Sequence, residues 1–261
     1  MQGKKTAFTI GFLMLVFVIA LIGCATDERP LPTVKSLPPS ELAYYCDSFD
    51  SLREDVWEKA GFVFSAAQLG NIKIADMTIE DGTLRIDTKT GGFSKGGLVS
   101  KFALKGDFDV QIDFQIDFLP DKLDMDQSLG FGSVEKTIGG SGNRMISIGL
   151  LKEAQNKSGI FSGYLEQGKY HTAYWHQIDN FTGSVRLVRI GDRMSTFYRK
   201  QGQSRWTKMC TLWSSQKDAS IGISLQNFVK DRNSISATRS INAWIDNFKI
   251  NAAQEIIESE I

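Results

Sequence analysis

The sequence is poor in the residues that most often carry chemistry. Its 261 residues include only two histidines, His171 and His176, and three cysteines. If Tyr170 to Gln177 forms one strand, those histidines stand five apart and face opposite sides, which excludes a shared zinc ion. No basic run is longer than a dipeptide, and 30 Lys and Arg balance 30 Asp and Glu. That balance excludes the basic footprint of a nucleic-acid-binding protein. No Gly-x-Ser-x-Gly nucleophile elbow occurs, and Gly139 to Asn143 reads as a flexible loop. The glycine-rich stretch Gly91 to Gly97 lacks the spacing of a phosphate loop. No internal period stands out, which argues against a propeller. Helix signals are scarce: a short turn within Ser51 to Lys59 and a small helix in the tail Ala252 to Ile261.

What is present begins at the N-terminus. Met1 to Lys5 is short and basic, and Thr6 to Gly23 is uncharged and rich in Phe, Leu, Ile and Val. This is the layout of a secretory signal, too short and too early for a membrane span. It ends in Leu21-Ile22-Gly23-Cys24, which resembles the bacterial lipobox. The resemblance implies cleavage before Cys24, a diacylglyceryl thioether on that cysteine, and a membrane as partner. Ala25 follows, and the absence of Asp there implies outer-membrane delivery in the cell envelope by the sorting rule of enteric bacteria. Four of the five prolines, Pro30, Pro32, Pro38 and Pro39, lie shortly after. Such a segment favours extended, semi-rigid chain over a core. The expected organisation is therefore a signal peptide over 1–23, a lipidated tether over 24–40 and a folded domain over 41–261. Without Lys4 and Lys5 the chain carries a net charge of about −2. Cys46 and Cys210 would meet an oxidising compartment, so they form either a disulfide or two free thiols.

The rest of the chain has period two. From Asp107 to Phe118 the even positions are Phe, Val, Ile, Phe, Ile and Phe, and the odd positions are Asp, Asp, Gln, Asp, Gln and Asp. Alternation of this kind is one long half-buried strand. Further strands are expected at Gly82 to Asp87, Gly97 to Leu104 before a turn at Lys105-Gly106, Arg144 to Leu151, Ala219 to Phe228 and Ile241 to Ile250. Gly183 to Ile190 and Arg193 to Lys200 form a hairpin about Gly191-Asp192. The fold class is all-β, an antiparallel β-sandwich, with a short C-terminal helix possible.

Several segments together resemble the concanavalin A-like lectin/glucanase superfamily, a jelly-roll sandwich. Tyr45-Cys46-Asp47-Ser48-Phe49-Asp50 with Trp57 is similar to its first strand. Gly96 to Lys101 leading into Gly106 to Val110, and Val185 to Asp192 followed by Phe197-Tyr198 and Trp206, are similar to interior segments. Ala243-Trp244-Ile245-Asp246-Asn247-Phe248-Lys249-Ile250 is similar to the closing strand, which pairs beside the first. The resemblance spans Tyr45 to Ile250 and implies glycan-directed function without naming one. It also assigns Trp57, Trp206 and Trp244 to the core.

Hydrolases of that superfamily carry Glu-x-Asp-x-Glu or Glu-x-Asp-x-x-Glu on one strand, and this sequence has neither. Its nearest acidic row is Asp109, Asp113 and Asp117. Neighbours in that row stand about 13 Å apart, beyond the ~5–9.5 Å that a carboxylate pair needs. The row reads as a solvated sheet face, with glycan contact as the lesser option. Asp121, Asp124 and Asp126 form an acidic loop that has only a weak claim on calcium. The most suggestive cluster is Tyr164, Tyr170, Tyr174, Trp175 and His176, since sugar C–H faces stack on rings and His or Gln grips hydroxyls. Plain alternation puts Tyr170, Tyr174 and His176 on one face and Trp175 on the other. Arg186 and Arg199, on neighbouring hairpin arms, would join that surface. The expected function is non-catalytic recognition of a glycan or polysaccharide. The alternatives are a glycan hydrolase or lyase with an unrecognised site, or a structural envelope protein that binds another protein.

Overall fold

The computed structural model describes residues 34–59, 72–91, 93–119, 125–135, 144–153, 157–166, 169–228 and 239–258, all within the compact unit Pro32–Ile261. A short helix, α1 (Pro39–Tyr45), precedes the strands β1 (Trp57–Lys59), β2 (Ile72–Ile74), β3 (Asp76–Glu80), β4 (Thr83–Asp87), β5 (Phe93–Ile116), β6 (Asp126–Glu135), β7 (Arg144–Lys152), β8 (Ser158–Glu166), β9 (Lys169–Gln177), β10 (Phe181–Ile190), β11 (Arg193–Lys200), β12 (Thr207–Trp213), β13 (Ala219–Phe228) and β14 (Asn242–Glu258). Pairing between them is antiparallel except where β2 runs parallel to β5. The signal run Thr6 to Gly23 and Cys24 lie outside the described residues.

The strands form two layers that share β5. The front layer runs β5–β13–β6–β7–β8–β9, and the back layer runs β3–β4–β14–β5–β10–β11–β12. Between them lies one core. Phe131 of the front layer meets Phe114 and Phe248 of the back layer at ring separations of 6.3 and 6.4 Å. Trp57 is buried beside Phe248, and its indole N–H donates to the Asp47 carboxylate at 2.8 Å.

The alternation of Asp107 to Phe118 holds, with Phe108, Val110, Ile112, Phe114 and Ile116 all buried. The expected turn at Lys105-Gly106 is absent, because β5 runs straight through it for 24 residues. Gly106 has φ +70°, a left-handed conformation that favours glycine. The strand changes partners there. Residues up to Leu104 pair with β13, and residues from Phe108 pair with β10. A local bend of this kind lets one strand serve both layers of a sandwich.

The C-terminal tail also differs from expectation. Residues Ala252 to Glu258 extend β14 along β5 as far as Phe102, with Ala253 buried. Tertiary pairing overrides the helix propensity of Ala, Gln and Glu there. At the other end, the domain begins before the expected boundary at 41. Val34 is buried, the Leu37 amide donates to the Ala253 carbonyl at 2.8 Å, and Pro39 opens α1 at a position that needs no amide hydrogen. The expected first strand at Tyr45 is reduced to a single bridge, Asp47 to Phe248, so closing and opening segments do meet.

Cys46 and Cys210 are free thiols. The Cys46 sulfur donates to the Leu42 carbonyl and accepts the Ile250 amide beside β14. Cys210 lies on β12, next to the Thr196 hydroxyl. Four strand spacings separate β14 from β12, roughly 19 Å, against a disulfide Cα reach below about 7 Å.

Candidate functional site

Strand β9 forms the outer edge of the front layer, and one extra residue decides which side chains it presents. Tyr170 pairs with Leu165 and Thr172 with Gly163, but Tyr174 pairs with Ser162, so Ala173 is bulged out. A bulge shifts the alternation by one. Tyr170, Thr172, Trp175 and Gln177 therefore share the face turned away from the back layer. His171, Tyr174 and His176 share the inward-turned face. This corrects the plain alternation, which grouped Tyr170 with Tyr174 and His176 and set Trp175 apart. Tyr174 packs against the core, and His176 stacks on Tyr198 of β11 at 6.3 Å. His171 stacks on Tyr164 at 4.9 Å. The two histidines thus face the same side and serve as packing groups. Among the described residues no group of His, Cys, Asp or Glu is placed to hold a metal.

On the outward face, Tyr170 and Trp175 are joined by Phe161 of β8. Phe161 lies edge-on to Tyr170 at 5.6 Å and stacks on Trp175 at 6.3 Å with an 18° tilt. The rings come close to the sheet because the strands beneath them carry glycine. A Cβ on Gly149 would come within 2.2 Å of the Phe161 ring, and one on Gly159 within 2.5 Å of the Trp175 indole. A Cβ on Gly163 would come within 2.9 Å of the Tyr170 oxygen. Glycine inside a strand marks such a close approach. The result is an aromatic shelf whose outer end, Trp175, is 39% exposed. The Tyr170 phenol shares a 3.0 Å hydrogen bond with the Ser147 hydroxyl. Burial pushes its pKa up to about 12, the Ser147 bond opposing, so the phenol stays protonated and neutral.

The strand positions beside the shelf carry no carboxylate. On β7 they are Met145, Ser147, Gly149 and Leu151, and on β6 they are Ser128, Gly130, Gly132 and Val134. Asp126 stands at the start of β6, buried and opposite Phe228. Its loop partners Asp121 and Asp124 lie outside the described residues. Phe161 was not singled out by the sequence. The signal that could have found it is the run of glycines in β7 and β8.

Arg186 and Arg199 do not join this surface. They project from the outward face of the back layer, where Arg186 forms a two-point ion pair with Asp109. Trp206 lies between the two guanidiniums, 5.4 Å from Arg186 and 4.6 Å from Arg199. Trp244 shares that outward face, with Arg85 over its ring at 5.7 Å. Of the three tryptophans expected in the core, only Trp57 is there.

No family model and no curated protein matches the chain. Solved structures do. A prokaryotic β-1,3-1,4-glucanase (lichenase) from a mouse hindgut metagenome aligns at TM-score 0.55 and 11% identity, over 79% of this chain and 98% of that one. A Zobellia galactanivorans protein solved in complex with laminaritriose and laminaritetraose aligns at TM-score 0.54 and 16% identity, over 78% and 96%. The legume lectin-like domain from Entamoeba histolytica aligns at TM-score 0.50 and 11% identity, over 88% and 100%. These likenesses establish the architecture. The fold is an all-β jelly-roll sandwich, the architecture these structures share.

Proposed function

We propose that this protein is a lipid-anchored envelope protein whose sandwich binds a glycan or polysaccharide on the front-layer shelf without cleaving it. The observation that carries the reading is the set of three contiguous rings, Trp175 stacked on Phe161 and Tyr170 edge-on to it, seated over strand glycines and open at Trp175. An exposed indole held in fixed orientation on part-buried rings suits the flat apolar face of a sugar, and neighbouring Thr172 and Gln177 supply hydrogen-bonding groups. Among the described residues, the side chains beside the shelf offer no acid–base pair of the kind that glycoside cleavage requires. Glycan-directed relatives in fold support the same reading by analogy. The lipid on Cys24 would hold the domain at the cell envelope, with the outer membrane as the destination that Ala25 favours.

The test is a glycan-array and titration assay on the full chain in detergent. Trp175→Ala should weaken binding of any captured glycan at least tenfold, about 1.4 kcal/mol. Trp213→Ala, which removes another exposed tryptophan from β12, should leave binding unchanged. Equal binding by wild type and Trp175→Ala would overturn the shelf. Release of new reducing ends from a bound polysaccharide would overturn the non-catalytic reading.

A further inference from the structure

The outward face of the back layer carries a second constellation, unconnected with the shelf. One cross-strand row runs Asp246 on β14, Asp113 on β5, Ser184 on β10 and Arg199 on β11, each in register with the next. A second row, two residues along, runs Trp244, Gln115 and Thr182. With the turn Lys200 to Gln203 as a wall, these rows floor a groove of about 490 Å³. The row from Asp246 to Arg199 spans three strand spacings, roughly 14 Å. That length suits a short oligosaccharide.

The groove is polarised in charge. Asp246 and Asp113 occupy one end. Asp113 accepts the Ser184 hydroxyl on Oδ1 at 2.6 Å. Both Asp246 oxygens accept from Asn247, its amide N–H at 2.6 Å and its side-chain Nδ2 at 3.0 Å. These carboxylates keep lone pairs for further donors. Arg199 and Lys200 occupy the other end. The contrast between the two arginines around Trp206 is instructive. Arg186 is neutralised by Asp109, whereas Arg199 has no carboxylate within ion-pair distance among the described residues. Its polar contact is a long one, 3.5 Å to the Ser184 hydroxyl. A guanidinium held by stacking with most of its donors unspent is set up for a carboxylate or sulfate.

We propose that this groove is a second saccharide site, specific for an acidic oligosaccharide whose anionic substituent sits on Arg199 while neutral ring hydroxyls donate to Asp113 and Asp246. Trp244 supplies an apolar flank. The ligand must be polarised as the groove is: negative charge at the Arg199 end and hydroxyls alone at the aspartate end.

The experiment uses the full chain in detergent at low salt, titrated with an oligogalacturonate, a sulfated galactan oligosaccharide and a neutral cello-oligosaccharide. Wild type should bind at least one acidic probe, more weakly as salt is raised. Which acidic probe binds distinguishes uronate from sulfate. Arg199→Gln should weaken that binding at least tenfold, and Lys200→Gln, on the exposed turn, should weaken it less. Trp175→Ala should leave it unchanged, so failure here and failure of the shelf are read separately. Thermal unfolding of each variant confirms that it is folded. The proposal falls if a folded Arg199→Gln and a folded Lys200→Gln bind the acidic probe as wild type does. It falls equally if wild type binds neither acidic probe, or if Trp175→Ala abolishes acidic binding along with the rest.

Discussion

Arg189 has no exposed surface, yet it carries a charge. Its guanidinium donates to the carbonyls of Leu104 (3.1 Å), Gly106 (2.6 Å) and Lys217 (2.6 Å), and lies over the Phe108 ring. Burial pulls its pKa down from the usual arginine value, and the carboxylates of Glu135, Asp107 and Asp218 pull it back. Glu135, also fully buried, stands 3.8 Å away and accepts the Ser214 and Ser215 hydroxyls and the Ser215 amide. Two of the Arg189 bonds straddle the point where β5 crosses between layers. The side chain therefore fixes the bend that Gly106 permits. Arg189→Met should destabilise the fold by about 3–5 kcal/mol, because it strands the Glu135 charge and three carbonyls. Glu135→Gln in the same chain should recover part of that loss. Urea unfolding of the single and double variants measures both effects, and a loss below about 1 kcal/mol would mean the pair is not structural.

Strand β9 shows how an element can conceal its own surface. Its facing is set by Ala173, and a one-residue slip moves every later side chain to the other face. Deleting Ala173 restores simple pairing with β8 while keeping Tyr170 and Trp175 on one side. Glycan binding by the Ala173 deletion should therefore persist within a few-fold. If plain alternation governed the strand instead, the deletion would turn Trp175 to the opposite face from its own present one, and binding would be lost. Titration of the deletion variant decides between the two.

The same logic explains what was legible. The long strand at Asp107 to Phe118 and the hairpin about Gly191-Asp192 were readable because alternation and turn residues agree over many positions. The bulge at Ala173 was not, because nothing in Tyr170 to Gln177 announces an extra residue. Nor was the join at Lys105-Gly106, where glycine bends a strand instead of ending it. The tail from Ala252 has good helix formers, and only its pairing with β5 makes it a strand. Sequence proximity points Arg186 to the β9 surface, but neighbours in sequence need not share a layer, and Arg186 lies on the back one. In the same way, the resemblance points Trp206 and Trp244 to the core, whereas both rings stack with arginines on the outward face.

At the scale of the whole molecule, the shelf and the charged groove lie on the two outer faces of one sandwich, with a single core between. The full chain should take a lipid at one place. Cys24→Ser should abolish incorporation of a radiolabelled or alkyne-tagged fatty acid in a bacterial host, and it should move the protein from membrane to soluble fractions. Equal labelling of the variant would place any lipid elsewhere.

The way the N-terminal segment lies on β14 has a mechanical consequence. From Val34 to Cys46 the chain is fastened by the Leu37 amide, the Ser36 hydroxyl and the buried Leu42 side chain. β14 itself is locked along β5 from Phe102 to Ile116. A pull arriving from the N-terminal side loads the first few contacts in sequence, and the sheet only afterwards. Those contacts would release one by one and lengthen the leash by up to about 40 Å at full extension. Under such a pull the chain would in this way yield in its N-terminal segment before its sandwich tore.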